Sequence, residues 1–203
     1  KDTERRFAVT NERYLPPLSP LMDGETKVVC IKAPLGSGKT TKMIRYLKDR
    51  YTADPNVSFL IILPRQDLCR QYAQALRGVG VDVMSYDEGD AAVGHPRLIV
   101  CLPSMVKVPY SGDPADRLSW MPPAYDIVYI DESERTFAEL AGGTVRQNGG
   151  FERTYNTMVD VLANAALVIC ADADLDSSEA WLTTRTLRIM LRGHYLPITY
   201  AVS

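Results

Sequence analysis

Seven short apolar runs, separated by amphipathic segments, constrain the fold more than any other feature of the sequence. The runs cover residues 28–33, 57–64, 81–86, 98–102, 127–130, 167–171 and 197–202. Several are apolar at consecutive positions, which is typical of strands buried on both faces of a parallel sheet. We therefore predict an α/β domain with a mostly parallel central sheet flanked by helices and joined by right-handed crossovers.

The segments between these runs have the apolar periodicity of helices. Predicted helices cover residues 39–51, 65–77, 132–140, 151–165 and 176–192. Two stretches rich in turn-forming residues, 109–123 and 141–150, are predicted surface loops. The helix at 176–192 carries Arg185, Arg188 and Arg192, which we interpret mainly as a solvated face.

Composition restricts the class of protein. The chain has 203 residues, of which 46% are hydrophobic and 24% charged, so it suits one domain with a sizeable core. A net charge of −2 argues against a protein that coats nucleic acid, although it permits a local binding groove. No apolar run approaches the roughly 20 residues that cross a bilayer, and no signal core is visible, so we expect an intracellular protein with no membrane contact.

Two other features concern the state of the chain. The 4 cysteines lie far apart with no C-x-x-C pair, which predicts buried reduced thiols. They are Cys30, Cys69, Cys101 and Cys170. The sequence starts at Lys1 without a methionine, so we expect a processed chain or a piece of a larger one.

The stretch "IKAPLGSGKTT", residues 31–41, has the pattern of a phosphate-binding loop between a strand and a helix. In such a loop glycines let backbone N–H groups converge on phosphates, a lysine reaches the β/γ oxygens and a hydroxyl binds Mg²⁺. Ala33 stands where the first glycine is expected, and it fits unless its φ is positive. The predicted ATP contacts are Pro34, Gly36, Ser37, Gly38, Lys39, Thr40 and Thr41.

A second stretch, "YDIVYIDESE", is an apolar strand that ends in two acids. Asp131 is predicted to hold Mg²⁺ with Thr40, and Glu132 to orient and deprotonate an attacking water. The alternative is a helix start that favours acids because of the helix dipole. Together with Lys39 and Thr40, the pair favours ATP hydrolysis.

Three further stretches stand in a recognisable order: "ILPRQDLCRQYAQAL" and "LIVCLPSM" lie between the loop and the acidic strand, and "LVICADADLD" comes after that strand. This order resembles the first RecA-like lobe of superfamily 2 helicases, whose Walker B strand carries the form D-E-x-x, here Asp131-Glu132-Ser133-Glu134. With "APLGSGKTT" and the early "ERYLP", the chain is most similar to the herpesvirus origin-binding protein family and related helicases of phages, plasmids and mobile elements. The resemblance runs from about residue 13 to residue 187.

The resemblance implies roles for further residues. Contacts to the nucleic-acid backbone are expected from Pro64, Arg65, Gln66 and Ser104. Asp172 and Asp174 replace the hydroxyl residues of a motif that links the γ-phosphate state to lobe movement, and Tyr14 is placed to contact the adenine. Each also has a structural interpretation, as a solvated residue, a helix cap or an aromatic ring packed at the domain edge.

The resemblance also implies cofactors and partners. It implies ATP and Mg²⁺, single-stranded DNA, other replication proteins and a second RecA-like lobe that follows Ser203. Residues 1–25 would be an N-terminal extension and residues 26–203 the ATP-binding lobe, which alone should hydrolyse ATP slowly. Two alternatives stay open: a P-loop kinase for a small molecule or nucleoside, and a non-catalytic module that responds to nucleotide.

Overall fold

The computed structural model describes residues 6–9, 27–92, 94–108, 123–140, 142–143, 145, 150–175, 182–191 and 198–202. Within these ranges the strands form one 8-stranded sheet. In chain order the strands are β1 Arg6–Val9, β2 Val28–Lys32, β3 Phe59–Leu63, β4 Met84–Ser85, β5 Arg97–Cys101, β6 Ile127–Asp131, β7 Leu167–Asp172 and β8 Ile198–Val202. Their order across the sheet is β1-β8-β2-β7-β6-β3-β5-β4, and every pairing is parallel.

Helices cover both faces of this sheet. They are α1 Lys39–Ala53, α2 Gln66–Gly78, α3 Ser133–Glu139, α4 Phe151–Asn164 and α5 Leu182–Met190, with short 3₁₀ helices at Gly89–Ala92 and Leu102–Lys107. Helices α1 and α2 pack on one face, while α3, α4 and α5 pack on the other. Successive strand residues alternate between the two apolar clusters, as in Val28 and Val29, so both faces of the sheet are buried. The predicted α/β fold is confirmed.

The strand pattern differs from the prediction at the two edges of the sheet. β1, which was not predicted from the sequence, pairs with β8 in the register Arg6↔Thr199. β4 covers only two of the residues predicted at 81–86, because the chain turns after Ser85. There the N–H of Ser85 donates to Glu88 Oε2 at 3.1 Å and the N–H of Glu88 donates to the carbonyl of Ser85 at 3.0 Å.

The strand order decides what meets at the carboxyl edge of the sheet. β7 lies between β2 and β6, with Lys32 opposite Asp172 and Asp131 opposite Ala171. The segments that follow these three strands are therefore neighbours, although they are far apart in sequence. Carboxyl ends of parallel strands are where open α/β sheets bind their ligands.

All four cysteines are free and buried, as predicted. Cys30 lies opposite Cys170 in the pairing of β2 with β7. A hydrogen bond with Cys30, together with burial, raises the pKa of the Cys170 thiol. Among the described residues, no helix is both long enough and apolar enough to cross a membrane.

Candidate nucleotide-binding site

The loop between β2 and α1 owes its conformation to two glycines. Gly36 has a φ of 79° and Gly38 a φ of 82°, a region that side-chain-bearing residues rarely adopt. Among the non-glycine residues that the structure describes, positive φ occurs at Glu132 alone. Ala33 therefore replaces the first glycine of the loop pattern without strain, as expected from the sequence.

Two polar side chains of this loop have unusual surroundings. The Lys39 ammonium group donates hydrogen bonds to the carbonyl oxygens of Ala33 and of Pro34, the latter at 3.1 Å. Ser37 is 2% exposed, and its hydroxyl oxygen has no hydrogen-bond partner among the described residues. A buried hydroxyl without a partner costs roughly 1–3 kcal/mol. The loop therefore holds a buried polar group whose hydrogen-bonding capacity is unused among the described residues.

Asp131, the last residue of β6, is held by two protein donors. Its Oδ1 accepts the N–H of Glu132 at 3.0 Å, and its Oδ2 accepts the hydroxyl of Tyr72 from α2. The Tyr72 oxygen also lies 3.4 Å from Thr40 Oγ1 and 3.4 Å from the Tyr129 hydroxyl. Burial, reinforced by the charge of Asp131, raises the pKa of Tyr72. Tyr72 is therefore a neutral donor that faces Asp131.

Glu132 adopts a strained backbone conformation, with φ 44° and ψ 52°. For a residue with a Cβ this left-handed region costs on the order of 1–2 kcal/mol. The turn is held by Thr136, whose N–H donates to the carbonyl of Glu132 at 2.8 Å and whose hydroxyl donates to the carbonyl of Asp131 at 2.9 Å. The Glu132 carboxylate is half-exposed and lies 3.7 Å from Arg135.

Asp172, at the end of β7, connects the neighbouring elements. It is 8% exposed, and its two carboxylate oxygens accept the backbone N–H groups of Glu134, at 2.9 Å, and of Asp174, at 3.0 Å. Glu134 in turn accepts the N–H of Thr183 from α5 at 2.8 Å, and the Thr183 hydroxyl donates to Ser133 at 3.0 Å. β7, α3 and α5 are therefore tied together beside Glu132.

These elements surround an open cavity of about 560 Å³. Eight of the predicted site residues line it: Gly36, Gly38, Lys39, Thr40, Asp131, Glu132, Asp172 and Asp174. Pro34, Ser37 and Thr41 belong to the loop without lining the cavity, and Tyr14 lies outside the described residues. Four lining residues were not predicted from the sequence: Leu35, Glu134, Arg135 and Ala173. The i,i+3 spacing of Glu132 and Arg135 on a helix start is a signal that could have found Arg135.

The residues predicted to contact nucleic acid lie at the same edge of the sheet. β3 and β5 are adjacent, and they place Arg65 and Gln66 near the 3₁₀ helix that contains Ser104. Arg65 and Gln66 are exposed, whereas Pro64 is buried. Gln66 donates to Asp87 at 3.2 Å, so this surface already has an internal hydrogen-bond network.

Asp87 organises that network. It accepts hydrogen bonds from Ser85 and from Arg70, the latter at 2.9 Å. The Ser85 bond, followed by those of Arg70 and Gln66, lowers the pKa of Asp87 to about 2.

Of the basic residues in the last predicted helix, Arg185 is exposed, while the Arg188 side chain and Arg192 fall outside the described part of the chain.

Comparisons with known proteins match most of the chain. A family model described as "Origin of replication binding protein" matches residues 14–181. A protein of Acanthamoeba polyphaga mimivirus, described as a replication origin-binding protein, is 28% identical over 182 residues, which are 88% of this chain and 22% of that protein. The replication origin-binding protein of varicella-zoster virus (strain Dumas) is 26% identical over 162 residues, 79% of this chain and 18% of that protein. The chain thus spans about a fifth of the length of these relatives.

Solved structures share the fold at low identity. The SWI2/SNF2 ATPase core of Sulfolobus solfataricus, in complex with double-stranded DNA, superimposes with a TM-score of 0.55 at 11% identity, covering 83% of this chain and 32% of that one. The UvsW helicase of bacteriophage T4 gives a TM-score of 0.50 at 14% identity, covering 87% and 54%. The RecA-like fold predicted from the sequence is confirmed.

Proposed function

The chain belongs to the origin of replication binding protein family, and from that premise we propose that residues 26–203 form the ATP-hydrolysing lobe of a superfamily 2 helicase or translocase that acts in DNA replication. Residues 1–25 would be an extension of this lobe. The intact protein would add a second RecA-like lobe after Ser203 and would work with other replication proteins inside the cell.

One observation carries this proposal. The glycine-rich loop that begins α1 and the acidic end of β6 face one cavity, although Asp131 follows Lys39 by 92 positions in the sequence. Phosphoryl transfer to water needs this combination of a phosphate cradle, a metal-binding carboxylate and a group that orients water. A glycine-rich turn with only a structural role would not require the acidic end of β6 to face the same cavity.

The residues of the site fit ATP with Mg²⁺. The positive φ values of Gly36 and Gly38 suit a loop whose N–H groups converge on phosphate, and the unpartnered Ser37 hydroxyl suits a phosphate oxygen. Thr40 and Asp131 are a hydroxyl and a carboxylate, the oxygen ligands that Mg²⁺ accepts alongside nucleotide phosphates. When bound, Mg²⁺ would supply neutralising charge at the β- and γ-phosphate oxygens.

The side chains of the chain itself would then act as follows. The carbonyl oxygens of Ala33 and Pro34 already hold the Lys39 ammonium group over the loop. On nucleotide binding, Lys39 would exchange these oxygens for phosphate oxygens. Glu132 would orient the attacking water and accept its proton, with Arg135 lying 3.7 Å from its carboxylate. Asp172 and Asp174 would link the presence or absence of the γ-phosphate to the positions of β7 and α3. An arginine from the second lobe would complete the charge at the γ-phosphate.

Single-stranded DNA is the proposed nucleic-acid partner. Arg65, Gln66 and Ser104 lie at the carboxyl edge of the sheet, in the segments that follow β3 and β5. These two strands continue the sheet beyond β6, which borders the nucleotide cavity. Their donors suit phosphate oxygens, which carry most sequence-independent affinity. The buried Pro64 would contribute through its backbone alone.

The test is ATP turnover by the protein extended beyond Ser203, with and without single-stranded DNA. We expect DNA to stimulate turnover, Lys39→Ala to abolish nucleotide binding, and Glu132→Gln to abolish turnover while nucleotide still binds. Lys48→Ala, on the exposed face of α1, is the matched control and should change neither. Turnover that ignores DNA and requires a small phosphate acceptor would replace this proposal by the kinase alternative.

A further inference from the structure

Tyr72 differs from the other residues on the buried face of α2. That face consists of Cys69, Tyr72, Ala73 and Leu76. Periodicity alone assigns Tyr72 to the core, and its ring is indeed 3% exposed and packed at a 6.2 Å centroid distance from the ring of Tyr129. A phenylalanine would fill the same space, so packing does not explain the hydroxyl.

The hydroxyl lies where two proposed metal ligands approach each other. A phenol has one proton to donate and lone pairs to accept with. The proton goes to Asp131 Oδ2, since a carboxylate is the strongest acceptor present, and the oxygen then faces Thr40 Oγ1 at 3.4 Å. One atom from α2 therefore contacts Thr40 at the start of α1 and Asp131 at the end of β6.

This contact restricts the Asp131 carboxylate. The N–H of Glu132 holds Oδ1 and Tyr72 holds Oδ2, so these donors fix the carboxylate from opposite oxygens, with the Tyr129 hydroxyl as a further neighbour. With the Tyr72 hydroxyl removed, Asp131, which is 7% exposed, would keep only the N–H of Glu132 and its contact with the Tyr129 hydroxyl. Its carboxylate could then turn about the Cβ–Cγ bond.

We infer that Tyr72 is a positioning residue, which holds Asp131 against Thr40 and so prepares the site for the divalent cation of a metal–nucleotide complex. The inference rests on the proposed function. It assigns no contact between Tyr72 and the nucleotide, and it predicts that Tyr72 acts only through Asp131 and Thr40. Its effect should therefore depend on the metal and not on the nucleotide alone.

The experiment measures binding of a fluorescent ATP analogue to the protein extended beyond Ser203, in excess Mg²⁺ and in EDTA. The readout is the dissociation constant in EDTA divided by the dissociation constant in Mg²⁺, which is the gain in affinity that the metal provides. This measurement needs no turnover. We expect Tyr72→Phe to reduce this ratio roughly fivefold or more, as for the loss of a hydrogen bond to a charged group, with binding in EDTA unchanged. Tyr125→Phe, a buried tyrosine just before β6 at the opposite edge of the sheet, should keep the wild-type ratio.

A second pair of variants separates positioning from general destabilisation. Asp131→Asn should reduce the ratio by itself, and adding Tyr72→Phe should then change it no further, because the two residues act as one unit. Additive losses would overturn the inference, as would a wild-type ratio in Tyr72→Phe, or loss of folding in Tyr72→Phe while Tyr125→Phe stays folded. If the unaltered protein binds no nucleotide, or binds it without regard to Mg²⁺, the proposed function fails and this inference falls with it.

Discussion

The carboxylate of Asp172 accepts the backbone N–H of Glu134 at 2.9 Å, which joins the end of β7 to the first turn of α3. Its other oxygen accepts the N–H of Asp174. The two residues of the first pair are separated by 38 positions, and no local pattern links them. Asp172 thus caps a helix that belongs to another part of the chain, next to the strained turn at Glu132.

Replacing Asp172 by alanine should remove both of these contacts. We expect a loss of about 2 kcal/mol in the free energy of unfolding, since two backbone donors lose their acceptor. For a chain of this size that corresponds to a fall of roughly 4–8 °C in the thermal midpoint. ATP turnover should fall more than nucleotide affinity, because the phosphate loop is left intact. Asp49→Ala, on the exposed face of α1, is the control and should leave the midpoint within about 1 °C.

Alanine substitutions at Gly36 and Gly80 distinguish the cost of backbone strain from a specific effect on nucleotide binding. Both have positive φ, and an added Cβ would meet nothing within 4 Å at either position. Alanine at either one should therefore destabilise the protein by about 1 kcal/mol through backbone conformation alone. Gly36→Ala should also weaken nucleotide binding at least fivefold, whereas Gly80→Ala, after α2, should leave it unchanged. Equal effects on affinity, measured by nucleotide titration, would mean that the loop between β2 and α1 does not bind phosphate.

Replacing Glu132 by glycine should raise the stability of the fold and abolish its activity. Glycine adopts the left-handed conformation without the steric cost, so Glu132→Gly should raise the free energy of unfolding by about 1 kcal/mol. Glu132→Gln keeps a Cβ in the same conformation and should leave the midpoint close to that of the wild type. Both variants should abolish turnover. A thermal midpoint for Glu132→Gly at or below that of Glu132→Gln would show that the turn is not strained in solution.

The depressed pKa of Asp87 predicts a pH dependence of stability. Because the folded-state pKa is about 2 and lies below the ordinary value of 3.8, the Asp87 contribution is present above about pH 4 and is lost as the pH falls towards 2. Asp87→Asn should therefore lower the thermal midpoint at pH 7, and the difference from wild type should shrink steadily between pH 4 and pH 2. The group lies near the surface, which keeps the difference at pH 7 to about 1 kcal/mol. If the difference in thermal midpoint between wild type and Asp87→Asn stays constant between pH 4 and pH 2, the lost stability does not come from the charge of Asp87.

Much of the fold, and eight of the twelve residues that line the cavity, could be predicted from the sequence. Consecutive apolar residues predicted the buried strands, because a parallel sheet between two helical layers needs apolar side chains on both faces. The glycine loop was recognisable because its backbone conformation and its chemistry are encoded within a few consecutive residues. β1 was missed, since a four-residue strand at an edge carries too weak a pattern to be separated from other short apolar runs.

The sequence by itself determined the alternation of strands and helices, the loop at Gly36–Thr40 and the acidic end of β6, because each depends on neighbours within one turn or one strand. Only the tertiary structure decided that β7 inserts between β2 and β6, that Asp172 caps α3 and that Tyr72 reaches Asp131 across 59 positions. These contacts follow from the order of strands and the packing of helices on them, which depend on the burial of the whole core. The side chain of Tyr72 has the same periodicity as a core residue, and only its neighbours in space reveal what its hydroxyl contacts.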